Sequence, residues 1–361
     1  MKIRHLIAVA LALLASAGSA AWQGPAAAPT AVEGFVRAEM ERQRIPGVAI
    51  AIVKAGAVVE ARGFGLANVE HRAPVTAETI FQSGSVGKMF TAAAVMLQVE
   101  DGKIALSDPI AKFLPGAPAS WTGITVRHLL THTSGIPDYA NGIDLRKDYS
   151  EEELAQMAFG MKLGFTPGEK WQYSNTGYLL LGMIIRKASG TFYGDVLAER
   201  VFKPLGMTTT RIISEADIVP HRAAGYTLVN GELKNQSWVS PSLNTSADGS
   251  LYLSVRDLVA WDAGVRGRRI LKASSWASVF EPVRLNDGKT QGYGFGWVIG
   301  VRGGQPAYQH GGSWQGFKTH YARFDRGGVS VIALANLTQA DTTKIVDGIA
   351  AIVEPALAPP R

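Results

Sequence analysis

The sequence predicts an α+β fold: one antiparallel sheet built from both ends of the chain, with a helical region inserted between the two halves. Three observations predict it. Two apolar runs, Val48 to Val53 and Ala57 to Phe64, flank a short turn at Lys54 to Gly56 and read as a hairpin. Four further apolar runs separated by Gly-rich turns occupy the last third of the chain. Between these two groups the apolar spacing is helical.

The elements follow in order. Met1 to Ala21 reads as an export signal, with Lys2 and Arg4 before the apolar stretch Leu6 to Ala17 and small residues at 18–21. The stretch falls short of the ~20 residues a permanent span needs, which places the mature protein in a periplasm or outside the cell. Residues 22–30 are an Ala/Pro-rich leader. Val32 to Arg44 is a helix with Val32, Val36 and Met40 on one face, broken by Pro46-Gly47. After the hairpin, Ser85 to Glu100 is a helix apolar on nearly every side, hence buried. Thr125 caps a short helix running to Thr133, and Ser150 with Glu153 forms a capping box for a helix to about Met161. Thr176 to Ala188 is an apolar helix closed by Gly190. Thr191 to Lys203 is another, stopped by Pro204 and Gly206, and Ser254 with Asp257 caps one more. The last strands are Gly294–Val301, Pro306–His310, Phe317–Phe324 and Val329–Asn336. A final helix carries Ile345, Ile349 and Ile352 on one face.

Composition narrows the function. Hydrophobic residues make up 47% of the 361 and charged residues 18%, so a large buried core is expected. With no cysteine, disulfides, thiolate metal sites, a cysteine nucleophile and a lipidated N-terminus are excluded. The net charge of +6 falls by two once the signal is removed. The basic residues are scattered apart from Arg266, Arg268 and Arg269, which argues against nucleic-acid binding. Outside the signal no apolar run is long enough to span a membrane.

Common motifs fail one by one. Gly87-Lys88 has Gln82 where a phosphate loop needs glycine, and Met89 where it needs Ser or Thr. Gly63 and Gly65 are followed by Asn68 instead of the third glycine of a dinucleotide site. There is no Gly-x-Ser-x-Gly elbow. His128 and His132 have metal-pair spacing on a helix. The base and third ligand are missing, so buried, hydrogen-bonded histidines are the better reading.

Three groups remain. Ser85-Val86-Gly87-Lys88 is the sole Ser-x-x-Lys of the chain, placed at the start of the buried helix. Ser85 meets free backbone N–H groups and a positive dipole end there. Lys88, one turn on, can activate the serine if desolvation strips its proton. Tyr173-Ser174-Asn175 precedes an apolar helix. Beside a cation the phenol can relay a proton, and the amide of Asn175 can both donate and accept. Tyr139-Ala140-Asn141 has the same pattern but lies in a Pro/Asp/Gly-rich loop, so the later triplet is preferred. His310-Gly311-Gly312-Ser313 ends a strand run. Its glycines permit close approach of a substrate, and the N–H of Ser313 can complete an oxyanion hole with that of Ser85. Taken alone, this last group also reads as a Gly-rich hairpin turn.

Together the three groups resemble the serine β-lactamase and penicillin-binding protein superfamily. The likeness is greatest to its class C-type branch of D-alanyl-D-alanine carboxypeptidases, D-amino-acid peptidases and esterases. Ile45-Pro46-Gly47-Val48, Thr125 to Gly135, Pro167-Gly168-Glu169, Pro204-Leu205-Gly206-Met207 and Tyr293-Gly294-Phe295-Gly296-Trp297 also resemble it. The resemblance implies a β-lactamase/DD-peptidase-like fold. After the signal it implies a single catalytic domain over 22–361, with an α/β part at 22–82 and 265–361 and a mainly helical part at 83–264. It implies Ser85 as acylated nucleophile, Lys88 and Tyr173 sharing its proton, and Asn175, His310, Gly312 and Ser313 as substrate-binding residues. No cofactor or metal is implied. His310 replaces the lysine usual in class C β-lactamases, and histidine is largely neutral near pH 7. The expected activity is therefore hydrolysis of an ester or amide through an acyl-enzyme, as an esterase or D-alanyl-D-alanine carboxypeptidase/D-aminopeptidase. The alternatives are a class C-like β-lactamase or a non-catalytic binder of penicillin or peptidoglycan fragments. The expected partner is a small ester, peptide or β-lactam.

Overall fold

The computed structural model of the protein describes residues 30–212, 216–325 and 327–359. The expected export signal at 1–21 and residues 22–29 of the leader lie outside the described residues. No described helix is long and apolar enough to cross a membrane.

The strands of the main sheet are β1 (Gly47–Lys54), β2 (Ala57–Asn68), β3 (Ala73–Pro74), β4 (Val298–Arg302), β5 (Gln305–Trp314), β6 (Phe317–Phe324) and β7 (Val329–Ala335). They form one sheet in the order β4-β5-β6-β7-β1-β2-β3. Every pair is antiparallel, and the two chain ends meet where Val48 of β1 lies opposite Ala335 of β7. The α+β expectation, with its sheet from both ends, holds.

The side-chain alternation of β1 divides it between two cores. Val48, Ile50 and Ile52 pack with α1 (Ala31–Gln43) and the C-terminal helix Thr342–Val353. Ala49 and Ala51 face the helical side. A strand buried on both faces reads as an unbroken apolar run, which is why it was legible as a strand but not as a two-faced one.

The helical side contains α2 (Gly87–Glu100), α3 (Val126–Leu130), α4 (Glu151–Phe159), α5 (Asn175–Ser189), α6 (Tyr193–Leu197), α7 (Lys203–Leu205), α8 (Val255–Arg266) and α9 (Ala273–Val279). The C-terminal helix is α10. As expected, α2 is buried from Gly87 to Gln98. Asp262 of α8 ties this layer to the sheet. Its buried carboxylate accepts from Tyr321 Oη and Ser330 Oγ, each at 2.6 Å, and from Arg266 Nε at 2.9 Å.

Several expectations need correction. Ser85 does not begin α2; it sits in a separate 3₁₀ turn, Gly84–Val86, that feeds the helix. The expected strand Gly294–Val301 is a tight turn at 293–297, closed by Gly294 N–H donating to Trp297 O, and only Val298 onward is strand. The strand expected to end at His310 runs on to Trp314, so its two glycines lie within β5 rather than in a hairpin turn. The helix starting at Thr125 stops at Leu130 instead of Thr133, because His132 adopts a left-handed φ of 59°. The helix from Thr191 is interrupted by a π-turn at Ala198–Phe202, which widens the coil before Pro204 and lets one more turn form. Ile352 is 37% exposed; the buried face of α10 is Ile345, Val346 and Ile349. The short helix α9 and the hairpin Tyr226–Val229/Glu232–Asn235 lay outside the expected elements.

Candidate active site

The Ser85 turn is wedged between β5 and the segment at 248–250. Two glycines make the fit possible. A Cβ on Gly312 would stand 2.0 Å from Ser83 O, and one on Gly84 would stand 2.5 Å from Ser313 N. Gly84 also has a φ of +50°, a conformation that costs other residues strain. Ser83 O accepts from Thr319 Oγ1 of β6 at 2.6 Å, and Ser83 N–H donates to Leu251 O at 2.7 Å. The turn is thus held from both sides.

Lys88 lies one turn beyond Ser85 and has no exposed surface. Its Nζ donates to Ser85 Oγ at 3.1 Å, to Asn175 Oδ1 at 2.7 Å and to the backbone carbonyl of Asp248. No carboxylate pairs with it among the described residues. An acidic group acts on it through Asn175, whose Nδ2 donates to Asp138 Oδ2 at 2.9 Å and whose backbone N–H donates to the same oxygen at 3.2 Å. Asp138 therefore fixes which end of the Asn175 amide faces Lys88. Neither Asp138 nor the carbonyl of Asp248 was singled out in the sequence: Asp138 lies 37 positions from Asn175, and a backbone acceptor such as Asp248 O leaves no side-chain signature.

Tyr173 brings its ring to 5.0 Å from Lys88 Nζ, and its hydroxyl is buried without a hydrogen-bond partner. An unpartnered buried hydroxyl is costly and marks a place where substrate or water completes the bonding. The alternative, Tyr139, is excluded by its bonding. Its hydroxyl donates to Asp248 Oδ2 at 2.9 Å, and burial with that carboxylate raises its pKa well above the usual value.

His310 is 4% exposed, and both ring nitrogens are occupied internally. Nδ1 lies 2.6 Å from Gly311 O and Nε2 lies 3.0 Å from Tyr293 Oη. Burial, reinforced by the Lys88 charge, lowers its pKa to about 3. The neutral ring expected from the sequence is present, but it offers substrate no free ring N–H; it lines the cleft with its carbon surface. His132 is also neutral, its pKa pushed well below 6.5 by burial first and by Lys88 second. It accepts from Ser174 N–H at 3.2 Å through Nδ1 and contacts Tyr293 Oη at 3.1 Å through Nε2. His128 Nδ1 accepts from Thr125 N–H in the cap of α3. His132 thus has both nitrogens engaged and His128 its Nδ1, and the two do not lie on one helix.

Ser85 and Ser313 stand at the meeting point of two grooves. One, of about 270 Å³, runs past Tyr139, Leu145, Asn175, Asp248 and Trp314. The other, of about 550 Å³, runs past Tyr173 and His310 and over Gly311 and Gly312 towards Lys318 and the start of α10. All seven sequence-predicted residues, Ser85, Lys88, Tyr173, Asn175, His310, Gly312 and Ser313, gather here. A serine beside a buried amine, between two grooves, is suited to acyl transfer.

The chain is similar to several known proteins. Penicillin-binding protein 4* of Bacillus subtilis is 33% identical over 315 residues, covering 82% of this chain and 69% of that protein. The D-aminopeptidase of Gluconobacter oxydans is 28% identical over 314 residues, covering 84% of this chain but only 58% of the relative's length. The crystal structure of a D-stereospecific amidohydrolase from Streptomyces superposes with a TM-score of 0.74 at 27% identity, covering 88% of this chain and 97% of that one. The family model described as Beta-lactamase matches residues 32–353, so the groups around Ser85 all fall within the match and the chain belongs to the beta-lactamase family.

Proposed function

We propose that the protein is a serine hydrolase that cleaves an ester or amide through an acyl-enzyme on Ser85. The observation that carries this reading is the bonding of Lys88. Two of its three partners, Asn175 Oδ1 and Asp248 O, can only accept, whereas Ser85 Oγ can accept or donate. On giving up one proton, the Lys88 amine would keep two N–H bonds to the acceptors and turn its lone pair towards the serine hydroxyl. That is the arrangement of a general base beside its nucleophile.

In this mechanism Ser85 Oγ attacks the carbonyl carbon as its proton passes to Lys88. The N–H groups of Ser85 and Ser313 hold the oxyanion. The close packing of Gly84 on Ser313 N supports this pairing. Tyr173, with its unpartnered hydroxyl, gives its phenolic proton to the leaving group and takes the proton held by Lys88 in its place. The bond to the leaving group breaks, and water then attacks the acyl-serine by the reverse proton path. The groove lined by Tyr173 takes the leaving group, and the Tyr139–Trp314 groove takes the acyl group. The mature enzyme acts in the periplasm or outside the cell, as an esterase or a peptidase of D-amino-acid substrates. The D-aminopeptidase and amidohydrolase likenesses support the second. The neutral His310 removes a cation from the site and disfavours β-lactams as preferred substrates.

The test compares hydrolysis of p-nitrophenyl acetate, D-alanine p-nitroanilide, a D-alanyl-D-alanine peptide and benzylpenicillin. The ester or a D-amino-acid substrate is expected to have the highest kcat/KM, and Ser85→Ala to lose at least ~10³-fold on it. Fastest turnover of penicillin would overturn the substrate preference. Activity retained in Ser85→Ala would overturn the nucleophile.

A further inference from the structure

The segment Tyr293 to Trp297 carries none of the proposed chemistry, yet it touches the Lys88 and His310 groups and reaches the Tyr173 group through His132. A Cβ on Gly296, where φ is +77°, would stand 2.6 Å from Lys88 O, so this turn lies directly on the backbone of α2. Tyr293 is 1% exposed, and its hydroxyl lies between the two histidines, 3.1 Å from His132 Nε2 and 3.0 Å from His310 Nε2.

Each histidine in turn holds a different part of the site. His132 brackets Tyr173: its carbonyl accepts from Gln172 N–H at 2.9 Å, and its Nδ1 accepts from Ser174 N–H at 3.2 Å. Its ring lies 4.3 Å from the Tyr173 ring. His310 begins the Gly311-Gly312-Ser313 stretch of β5 and bonds Gly311 O through Nδ1.

The backbone groups facing the two rings set their tautomers. A backbone N–H faces His132 Nδ1, so that nitrogen accepts and the ring proton sits on Nε2. A backbone carbonyl faces His310 Nδ1, so that nitrogen carries the proton and Nε2 accepts. Tyr293 Oη therefore accepts from His132 and faces His310 Nε2 as a donor, with Tyr178 Oη, which itself donates to Leu130 O, as a second acceptor for its proton. Every polar atom in the chain is satisfied with both rings neutral.

We propose that Tyr293 is a positioning residue of the active site: its hydroxyl clasps His132 and His310 in opposite tautomers and so fixes the Tyr173 loop against the Gly312–Ser313 strand. The proposal rests on the hydrolase reading above for its kinetic consequence and on hydrogen bonding alone for its structural one. Displacement of either part by about 1 Å suffices to cost ~10²-fold in rate.

The test has two independent readouts. Imidazole ¹⁵N–¹H correlation spectra of the full chain at neutral pH report which nitrogen holds each proton. The expected result is Nε2–H for His132 and Nδ1–H for His310. The opposite tautomer at either ring overturns the clasp, whether or not the protein hydrolyses anything. In the second readout, Tyr293→Phe, which keeps the ring, is expected to slow the acylation burst with p-nitrophenyl acetate by ~10- to 100-fold, with KM changed less than ~3-fold. A burst at the wild-type rate overturns the proposal.

Should Tyr293→Phe fail to fold, His310→Gln and His310→Met decide. Glutamine keeps an acceptor for the Tyr293 hydroxyl, methionine does not, and the glutamine variant is expected to acylate at least ~10-fold faster. Equal rates overturn the clasp. If the wild type gives no burst at Ser85, the hydrolase reading fails by itself and the tautomers still decide the clasp.

Discussion

Gly312 shows how little room separates the Ser85 turn from β5. A methyl group there would overlap Ser83 O and Thr319 Oγ1, at 2.0 and 2.2 Å, and both belong to structure that holds the turn. Gly312→Ala is therefore expected to displace the turn and slow acylation by ~10²-fold, measured as the burst rate with p-nitrophenyl acetate. An unchanged rate would mean that the turn is not held where β5 places it. The residues themselves were largely legible in the sequence, since Ser85, Lys88, Tyr173 and Asn175 were picked out by type and spacing. Their supports were not. Asp138 reaches Asn175 across 37 positions and Tyr293 reaches His132 across 161, distances that only the fold closes. The neutrality of His310 was foreseen, but its cause was not: both nitrogens are engaged inside the protein.

At the scale of the elements, caps and breakers located the helices well. Thr125, Ser150 and Ser254 cap as expected, and Gly190 ends α5 in a left-handed conformation. The failures fall where tertiary contacts override local preference. β5 continues through two glycines because β6 pairs with it as far as Trp314. The stretch Gly294 to Trp297 has the composition of a strand but forms a turn against α2, with Gly296 beside Lys88 O. Asp262 of α8 was not singled out, because its partners Tyr321 and Ser330 lie 59 and 68 positions away. Asp262→Ala would leave those hydroxyls and Arg266 without their shared acceptor and is expected to destabilise the fold by ~3–5 kcal/mol. Urea denaturation checks this, and a loss under ~1 kcal/mol would mean that the carboxylate does not tie the helical layer to the sheet.

Over the whole molecule, the chain closes on itself at the β1–β7 pair, and the proposed active site lies where the inserted helices meet the C-terminal strands. The same packing leaves several histidines buried and neutral. Burial lowers His310 to about 3 and His320 to about 4, His132 well below 6.5, and His128 in the same direction. Between those values and 6.5 the unfolded chain binds protons that the folded chain does not, so stability is complete above ~6.5 and is lost as the pH falls. Each such group contributes a slope of about 1.4 kcal/mol per pH unit within its window. Carboxylates such as Glu39, lowered to about 2, add their loss only below ~4.5. The urea midpoint is therefore expected to drop between pH 7 and 5, and His320→Gln to flatten that drop by one histidine's share; a midpoint constant over this range would contradict the burial. The central claim, a covalent acyl group on Ser85, is tested most directly by intact mass. The protein is mixed with p-nitrophenyl acetate, quenched in acid during turnover, and the adduct is mapped by peptide digestion. The account predicts a single acetyl on Ser85, absent from Ser85→Ala and strongly reduced in Lys88→Ala and Tyr173→Phe that remain folded. Turnover of the ester with no adduct at any time, or an adduct on another residue that persists in Ser85→Ala, would contradict it.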